Sequence, residues 1–259
     1  MIVVGVVVLV VGIVCAYFAR AARARQHAMI TTETLSAQEL GALQQAAVQA
    51  AGPGVFRHRV EVTGQLCAGE AGPLKSELAN VDCVWHRHVV TRKYWETRRD
   101  SKGGTRRVTR TEVMSKHSSG QSFLVRDPSG VVTVYPADVL VDGAQKVLDR
   151  FERDTGGNET ATLQLGKFRM SIPTGDSGTD GYQYEEWVLR PGRLVYVLGE
   201  ANDESGELAV TDPSIVSTRT EAELLARSHS RQRAFTIAAL VAAAGGVVSI
   251  VVGLVQTLG

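Results

Sequence analysis

Charged residues are missing from both ends of the 259-residue chain. The first 19 residues carry no charged side chain, and neither do residues 234–259. A helix needs about 20 apolar residues to cross the hydrocarbon core of a bilayer. Both ends reach that length, so the sequence predicts two transmembrane helices. A cleaved secretory signal is the alternative for the first end, and a buried core helix is the alternative for the second.

The arginines nearest to these apolar ends predict how the chain is oriented. Arg20, Arg23 and Arg25 follow the first apolar run, and Arg227, Arg231 and Arg233 precede the second. Basic residues that flank membrane spans favour the cytoplasmic side. We therefore expect an integral membrane protein with two spans, a cytoplasmic domain between them, and both termini on the far side.

Cysteine is scarce, and the usual catalytic motifs are missing. The three cysteines are Cys15, Cys67 and Cys83, too few for a disulfide framework, and a cytoplasmic location would keep them as thiols. The sequence contains no P-loop, no G-x-G-x-x-G, no G-x-S-x-G and no H-E-x-x-H. It therefore predicts no catalytic residue, no cofactor and no bound metal.

The stretch "CVWHRH" is the strongest candidate for a metal site. It carries Cys83, His86 and His88, which are residue types that bind zinc. Side chains alternate between the two faces of a strand, so His86 and His88 share a face and Cys83 points to the other. We therefore favour an ordinary hairpin over a zinc site.

The segment between the apolar ends has the two-residue period of half-buried strands from residue 55 onward. We predict two transmembrane helices flanking one β-rich (α+β) domain of antiparallel hairpins, with a barrel-like closure as one possible form. Four segments follow: a transmembrane helix at 1–19, a juxtamembrane helix and linker at 20–54, a β-rich domain at 55–219, and a helix at 220–258 that continues into the second span.

Local signals mark several of these elements. Ser36 with Glu39, and Thr220 with Glu223, are capping boxes that predict helix starts. A long hairpin is predicted around "DSKGGT" and a shorter one around "DPSG". A short helix is predicted at Ala144–Phe151. The phrases "VEVTG" and "VYVLG" share the form V-x-V-x-G, which suggests two similar strand units.

Charge is distributed in two opposed blocks. Residues 87–110 carry nine basic and two acidic side chains, and residues 176–212 carry nine acidic and two basic ones. The blocks are solvated hairpins, or they pair within a chain or between copies, or the basic block contacts anionic lipid headgroups. The net charge of +1 and the apolar ends argue against nucleic acid. The candidate binding surface comprises Arg92, Lys93, Arg98, Arg99, Lys102, Arg106 and Arg107.

Four phrases lie between the two apolar spans: "VEVTGQL", "GPLKSELANVDCVWHRHVV", "SFLVRDPSGVVTVYP" and "EWVLRPGRLVYVLGEA". Together they resemble the GIDE ("beside a membrane") domain of mulan-type, membrane-anchored E3 ubiquitin ligases. The resemblance implies ubiquitin transfer through a RING domain, which binds zinc with cysteine and histidine. No cysteine follows Cys83, so we expect a protein without a RING.

Three functions follow from these observations. The first is a membrane-proximal adaptor or scaffold that binds a protein partner or anionic lipid headgroups. The second is an E3-like component of a protein-modification system, with the RING on a separate partner. The third is a membrane organiser that acts by self-association.

Overall fold

The chain folds into two compact units, a helical unit of residues 1–33 and 219–259 and a β-rich unit of residues 34–218. The computed structural model describes residues 2–99, 104–154, 160–165, 168–173 and 178–258. The helices are α1 (Ile2–Thr31), α2 (Ala37–Ala51) and α3 (Glu221–Leu258). The strands are β1 (Arg57–Ala68), β2 (Leu74–Lys75), β3 (Asp82–Cys83), β4 (Trp85–Arg99), β5 (Thr105–Ser118), β6 (Phe123–Asp127), β7 (Gly130–Val134), β8 (Val141–Asp142), β9 (Gln145–Arg153), β10 (Thr160–Leu165), β11 (Phe168–Pro173), β12 (Thr179–Leu189), β13 (Leu194–Asn202), β14 (Ala209–Val210) and β15 (Ile215–Ser217).

The helical unit pairs α1 with α3. Each helix contains a stretch long and apolar enough to cross a membrane, Val3–Ala21 in α1 and Arg233–Ile250 in α3. The two helices approach closely at α1 glycines: a Cβ at Gly5 would lie 2.6 Å from Ile250 Cγ1, and one at Gly12 would lie 3.3 Å from Ala242 Cβ. The glycines of α1 therefore allow this contact.

The β-rich unit is built around a five-stranded barrel. Its strands follow the order β1-β6-β7-β14-β13, and pairing of β13 with β1 closes the ring. The β7–β14 pair is parallel and the other pairs are antiparallel. The barrel interior is lined by Val60, Val62, Leu66, Phe123, Val125, Val132, Val134, Val195, Val197 and Val210. The predicted β-rich fold with a barrel-like sheet is confirmed.

The two V-x-V-x-G phrases are the strands that close the barrel. They pair antiparallel, with Val60 opposite Gly199, Val62 opposite Val197, and Gly64 opposite Val195. A Cβ at Gly64 would lie 2.4 Å from the carbonyl oxygen of Arg126, closer than side chains can come to backbone. Glycine is thus required where β1 passes from β13 to β6.

Helix α2 belongs to the β-rich unit and is attached to it by hydrogen bonds to two aspartates. The predicted capping box at Ser36 and Glu39 is present, and Asp127 accepts a hydrogen bond from the Ala37 amide at the start of the helix at 2.7 Å. Asp203 accepts one from Gln44 Nε2 in the middle of the helix at 3.1 Å and one from the Phe56 amide, beyond its end, at 3.0 Å. Leu40 is fully buried against the barrel.

The long predicted hairpin, β4–β5, belongs to a second sheet with the order β5-β4-β12-β9, whereas the shorter one, β6–β7, lies in the barrel. The predicted helix at Ala144–Phe151 is wrong, because this segment is strand β9. Its lysine, leucine, arginine and glutamate suit a helix. Pairing with β12 from Gly181–Arg153 to Val188–Gln145 satisfies its backbone instead, and Leu148 packs against Tyr182 and Tyr184. Tertiary pairing overrides the local preference.

Candidate functional site: a basic hairpin

The candidate site is the basic hairpin, defined here as strands β4 and β5. Their register places Arg98 opposite Arg106, Thr97 opposite Arg107, and Arg99 opposite Thr105. Facing residues of an antiparallel pair share one face of the sheet. The predicted binding surface is therefore divided between two faces. Arg92, Arg98 and Arg106 lie on one, and Lys93, Arg99 and Arg107 lie on the other. Lys102 lies outside the described residues.

The first face, which we call the covered face, packs under the segment that contains Leu78. Val90 on β4 contacts Leu78, Tyr182 and Tyr184 there. Arg92 belongs to this packing, since its side chain is only 12% exposed. Its Nε donates to Thr179 Oγ1 at 2.9 Å, and its guanidinium lies 3.7 Å from Glu112 Oε2. Arg92 thus joins three strands of the sheet and is poorly placed to reach a partner.

The opposite face, which we call the open face, presents cations above aromatic rings. The guanidinium of Arg107 lies 4.1 Å from the ring centre of Trp95, and the ammonium of Lys93 lies 4.9 Å from that of Phe151. A cation over an aromatic face is held by the quadrupole of the ring. In the part of the hairpin that the structure describes, the open face from Lys93 to Thr111 contains no carboxylate. The rings therefore orient these cations, and no described carboxylate of this face of the hairpin neutralises them.

The end of the hairpin brings two guanidinium groups together. Arg98 and Arg106 are directly opposite on the covered face, and both are exposed. Like charges at facing positions destabilise a strand pair. The nearest described ion pair of the hairpin is farther from the turn, where Arg110 Nε lies 3.5 Å from Glu96 Oε2. Two exposed arginines in this arrangement match the oxygens of a carboxylate or a phosphate.

Nearer the barrel, the covered face holds a cluster of histidines. His88 Nδ1 lies 2.8 Å from Glu77 Oε2, and His88 Nε2 lies 3.0 Å from Ser115 Oγ. The ring of His117 lies 5.9 Å from that of His88 and 6.3 Å from that of His86. His86 and His88 thus share a face, as the alternation predicted. Burial lowers the pKa of both imidazoles, against the opposing effect of Glu77 and Glu186.

A buried carboxylate holds the covering segment in place. Glu186 is fully buried on β12 and accepts hydrogen bonds from the amides of Leu78 at 3.0 Å and Ala79 at 2.7 Å. Hydrogen bonds to an ionised acceptor are stronger than neutral ones. They offset the cost of burying the charge and fix the segment between β2 and β3 over the sheet.

Sequence reasoning missed Glu77 and Glu186 because they come from other parts of the chain, and it missed His117 because a β-bulge sets its position. Counting back from the turn without an irregularity would place Lys116 opposite His88. The register shifts between Val90 and Thr91, so His117 takes that place. A one-residue shift moves every later side chain to the other face of a strand. No local motif of the sequence marks the bulge.

The histidine cluster does not form a metal site as it stands. Across the described residues, no group of three or more histidine, cysteine, aspartate or glutamate side chains has the geometry to hold a metal ion. Cys67 and Cys83 are both free thiols. Burial and the charge of Glu186 raise the pKa of Cys83 to about 11. Because the thiolate is the metal ligand and the nucleophile, Cys83 is suited to packing.

Comparison with known protein families shows which family the chain belongs to. A family model described as GIDE, E3 ubiquitin ligase, matches residues 93–253, which is more than half of the chain. The match includes "SFLVRDPSGVVTVYP" and "EWVLRPGRLVYVLGEA" and begins downstream of "VEVTGQL". No curated protein and no solved structure matches the chain. The length of the family match shows that this protein belongs to the GIDE family of E3 ubiquitin ligase-related domains.

Proposed function

We propose that this protein is a membrane-anchored binding module of the GIDE family, and that its basic hairpin recognises an anionic partner. The partner is an acidic protein segment or an anionic lipid headgroup. The pairing of Arg98 with Arg106 across the strands carries the proposal. No carboxylate of the described residues forms an ion pair with either arginine, and like charges at facing positions destabilise a strand pair. An anion between the two groups removes that repulsion.

The open face supports the same role. Arg107 is held against Trp95, so part of its conformational freedom is already lost before a partner binds. The threonines beside it, Thr97, Thr105, Thr109 and Thr111, add hydroxyl groups and no charge. Guanidinium and hydroxyl groups together match carboxylate or phosphate oxygens.

We also propose that α1 and α3 anchor this module in a bilayer, with the β-rich unit on the cytoplasmic side and both ends on the far side. The apolar stretches Val3–Ala21 and Arg233–Ile250 and the arginines that flank them support this. Protease digestion in right-side-out and inverted membrane vesicles tests it. Cleavage of the β-rich unit only in inverted vesicles is expected. Cleavage only in right-side-out vesicles would reverse the orientation.

The binding role is tested with Arg98→Glu in the full chain, held in nanodiscs of neutral phosphatidylcholine. The probes are a glutamate-rich peptide and, separately, vesicles that contain phosphatidylserine. We expect binding of the true partner class to weaken about tenfold. The folded protein should be as stable as before or slightly more stable, because the new glutamate faces Arg106.

Arg153→Glu is the matched control. It reverses an exposed arginine at the end of β9, in the same sheet. It should leave binding unchanged. Equal binding by the Arg98→Glu protein and the unmodified protein for both probes would refute the binding role of the hairpin.

The second candidate function is that of an E3-type component in ubiquitin transfer, which the family description favours. A reconstituted reaction with ubiquitin, activating enzyme, conjugating enzyme and a separate RING-bearing protein, in the presence and absence of the full chain, tests it. An increase in ubiquitin conjugates that depends on the chain would favour this function. A reaction that the chain leaves unchanged would favour the binding module.

A further inference from the structure

The four-stranded sheet has two edges, and they differ in how their charges are satisfied. Strand β9 forms one edge and β5 forms the other. On β9, Lys146 lies 2.6 Å from both Asp149 and Glu185, and Arg150 lies 2.7 Å from Glu152. The charges on the β9 edge are therefore largely balanced within the sheet.

The β5 edge has a clear excess of positive charge. Strand β5 carries Arg106, Arg107, Arg110 and Lys116 against a single carboxylate, Glu112. Glu112 lies near Arg92 of the neighbouring strand. In the described part of the chain, no carboxylate forms an ion pair with Arg106 or Lys116. Because side chains alternate along β5, its cations point to both faces of the sheet.

The backbone of this edge is also available. Strand β5 is 14 residues long, and β4 is its hydrogen-bonded neighbour. Across the described residues no strand pairs with its outer side. It contains no proline, and Val113 is 59% exposed. A strand edge of this kind presents a row of amide and carbonyl groups that can pair with another chain.

From these observations we infer that the outer edge of β5 docks an extended acidic segment of a partner protein, which adds to the sheet as a further strand. The inference rests on the proposed anion-binding function and specifies its partner. Backbone hydrogen bonds would supply affinity, and acidic side chains on both faces of the added strand would meet the cations of β5.

The positive charge of β5 also favours an acidic partner over a second copy of the chain. Two β5 strands side by side would bring Arg106, Arg107 and Arg110 close to basic residues of the other copy. Like charges at facing positions oppose pairing. A flat lipid surface would use the cations of the hairpin but would gain nothing from the row of backbone groups. An acidic strand would contact the cations of the hairpin and also pair with the backbone groups of the β5 edge.

The test uses the full chain in phosphatidylcholine nanodiscs and a fluorescent peptide of about twelve residues that alternates glutamate with valine or threonine. A second peptide has the same sequence with four consecutive N-methylated amides. N-methylation keeps the charge and removes backbone donors from both edges of the peptide. We expect the first peptide to bind and the methylated one to bind at least about tenfold more weakly.

Two variants locate the binding edge. Arg106→Gln with Lys116→Gln should weaken binding of the unmethylated peptide by about tenfold. Arg150→Gln with Arg153→Gln is the matched control on β9 and should bind it as the unmodified chain does. Amide hydrogen exchange should slow at Thr105–Ser118 when the peptide binds, and not at Gln145–Arg153.

Four other results would refute the docking of an acidic strand at the β5 edge, and they differ in whether the proposed anion-binding function survives. Equal binding of the methylated peptide would leave a charge-only surface and keep the proposed binding function. Binding of phosphatidylserine vesicles without peptide binding would make lipid the partner. Concentration-dependent protection of Thr105–Ser118 without peptide would make a second copy the occupant. No binding of any probe would refute both proposals.

Discussion

The barrel and the four-stranded sheet lie in the same β-rich unit but differ in the side chains that they bury. Inside the barrel, valine, leucine and phenylalanine fill the space between strands, and glycine is placed where two backbones meet. In the four-stranded sheet, histidine and glutamate are buried on one face, and exposed arginines lie on both faces of the basic hairpin. Apolar packing stabilises without direction, whereas buried polar groups need specific partners. The first region therefore supports the fold, and the second carries the candidate binding surface.

The largest difference in unfolding free energy should appear between alanine substitutions at a barrel glycine and at a hairpin glycine. Gly64→Ala would place a Cβ 2.4 Å from the backbone oxygen of Arg126, so β1 and β6 would have to separate. We expect the free energy of unfolding to fall by about 3 kcal/mol or more. Gly104→Ala, at the end of the basic hairpin, meets no described atom within 4 Å and should change it little. Urea unfolding of the full chain in detergent measures both. Equal losses of unfolding free energy in the two variants would contradict the distinction between the barrel and the basic hairpin.

A matched pair of valines tests packing in the two regions. Val197→Ala removes two methyl groups from the barrel core, where the residue is fully buried, and should cost about 2–3 kcal/mol of unfolding free energy. Val113→Ala, on the exposed part of β5, should stay within about 0.5 kcal/mol. The same unfolding measurement compares them. If the Val113 variant lost as much stability, that side chain would be packed and the β5 edge would be less open than described.

Glu186→Gln tests the polar interior of the four-stranded sheet. The amide can accept only one of the two backbone hydrogen bonds well, so we expect a loss of about 2 kcal/mol. Faster hydrogen exchange should be confined to the segment around Leu78 and Ala79. Glu185→Gln is the control, and its surface pair with Lys146 contributes at most about 1 kcal/mol. Unchanged exchange at Leu78 in the Glu186 variant would show that apolar contacts alone hold the segment.

The smallest expected effect is a pH dependence of the four-stranded sheet. The pKa values of His86 and His88 are lowered in the folded protein, because burial disfavours the charged imidazole. The unfolded chain therefore binds more protons, and stability is lost as the pH falls below the unfolded value of about 6.5. Glu77, Glu186 and His117 are the titratable groups that face this pair.

This dependence is measured as the midpoint of thermal unfolding at about pH 7.5 and about pH 5.5, on either side of the usual histidine pKa. Replacement of His88 by asparagine should reduce the difference between the two midpoints. An unchanged difference would show that other groups cause it.

Much of the architecture could be read from local sequence. The two capping boxes mark the starts of α2 and α3, and the turn residues "DSKGGT" and "DPSG" lie between strands of the two predicted hairpins. These features depend on interactions between residues a few positions apart, so they can be predicted from the local sequence. Strand β9 shows the limit of this reasoning. Its residues suit a helix, and only its pairing with β12, whose residues lie 28 to 43 positions farther along the chain, makes it a strand.

The candidate surface was only partly predictable for the same reason. Its residues were visible as a basic block, but their division between two faces follows from the register of β4 with β5. Arg92 looked equivalent to Lys93 in the sequence, yet it is held among Thr179, Glu112 and Tyr94. The edge position of β5 depends on the order of the strands in the sheet, which cannot be predicted from any single segment of the sequence.

The sequence by itself determined where the chain is apolar, where it alternates, and where helices begin and turns lie, because those properties act through adjacent residues. Tertiary structure decided that β1 and β13 close a barrel, that a bulge brings His117 beside His88, and that Glu186 holds the segment around Leu78. Each of these depends on groups that are distant in the chain and meet only when strands pair. The charge of the basic hairpin is thus a property of the sequence, whereas its two faces and its open edge are properties of the fold.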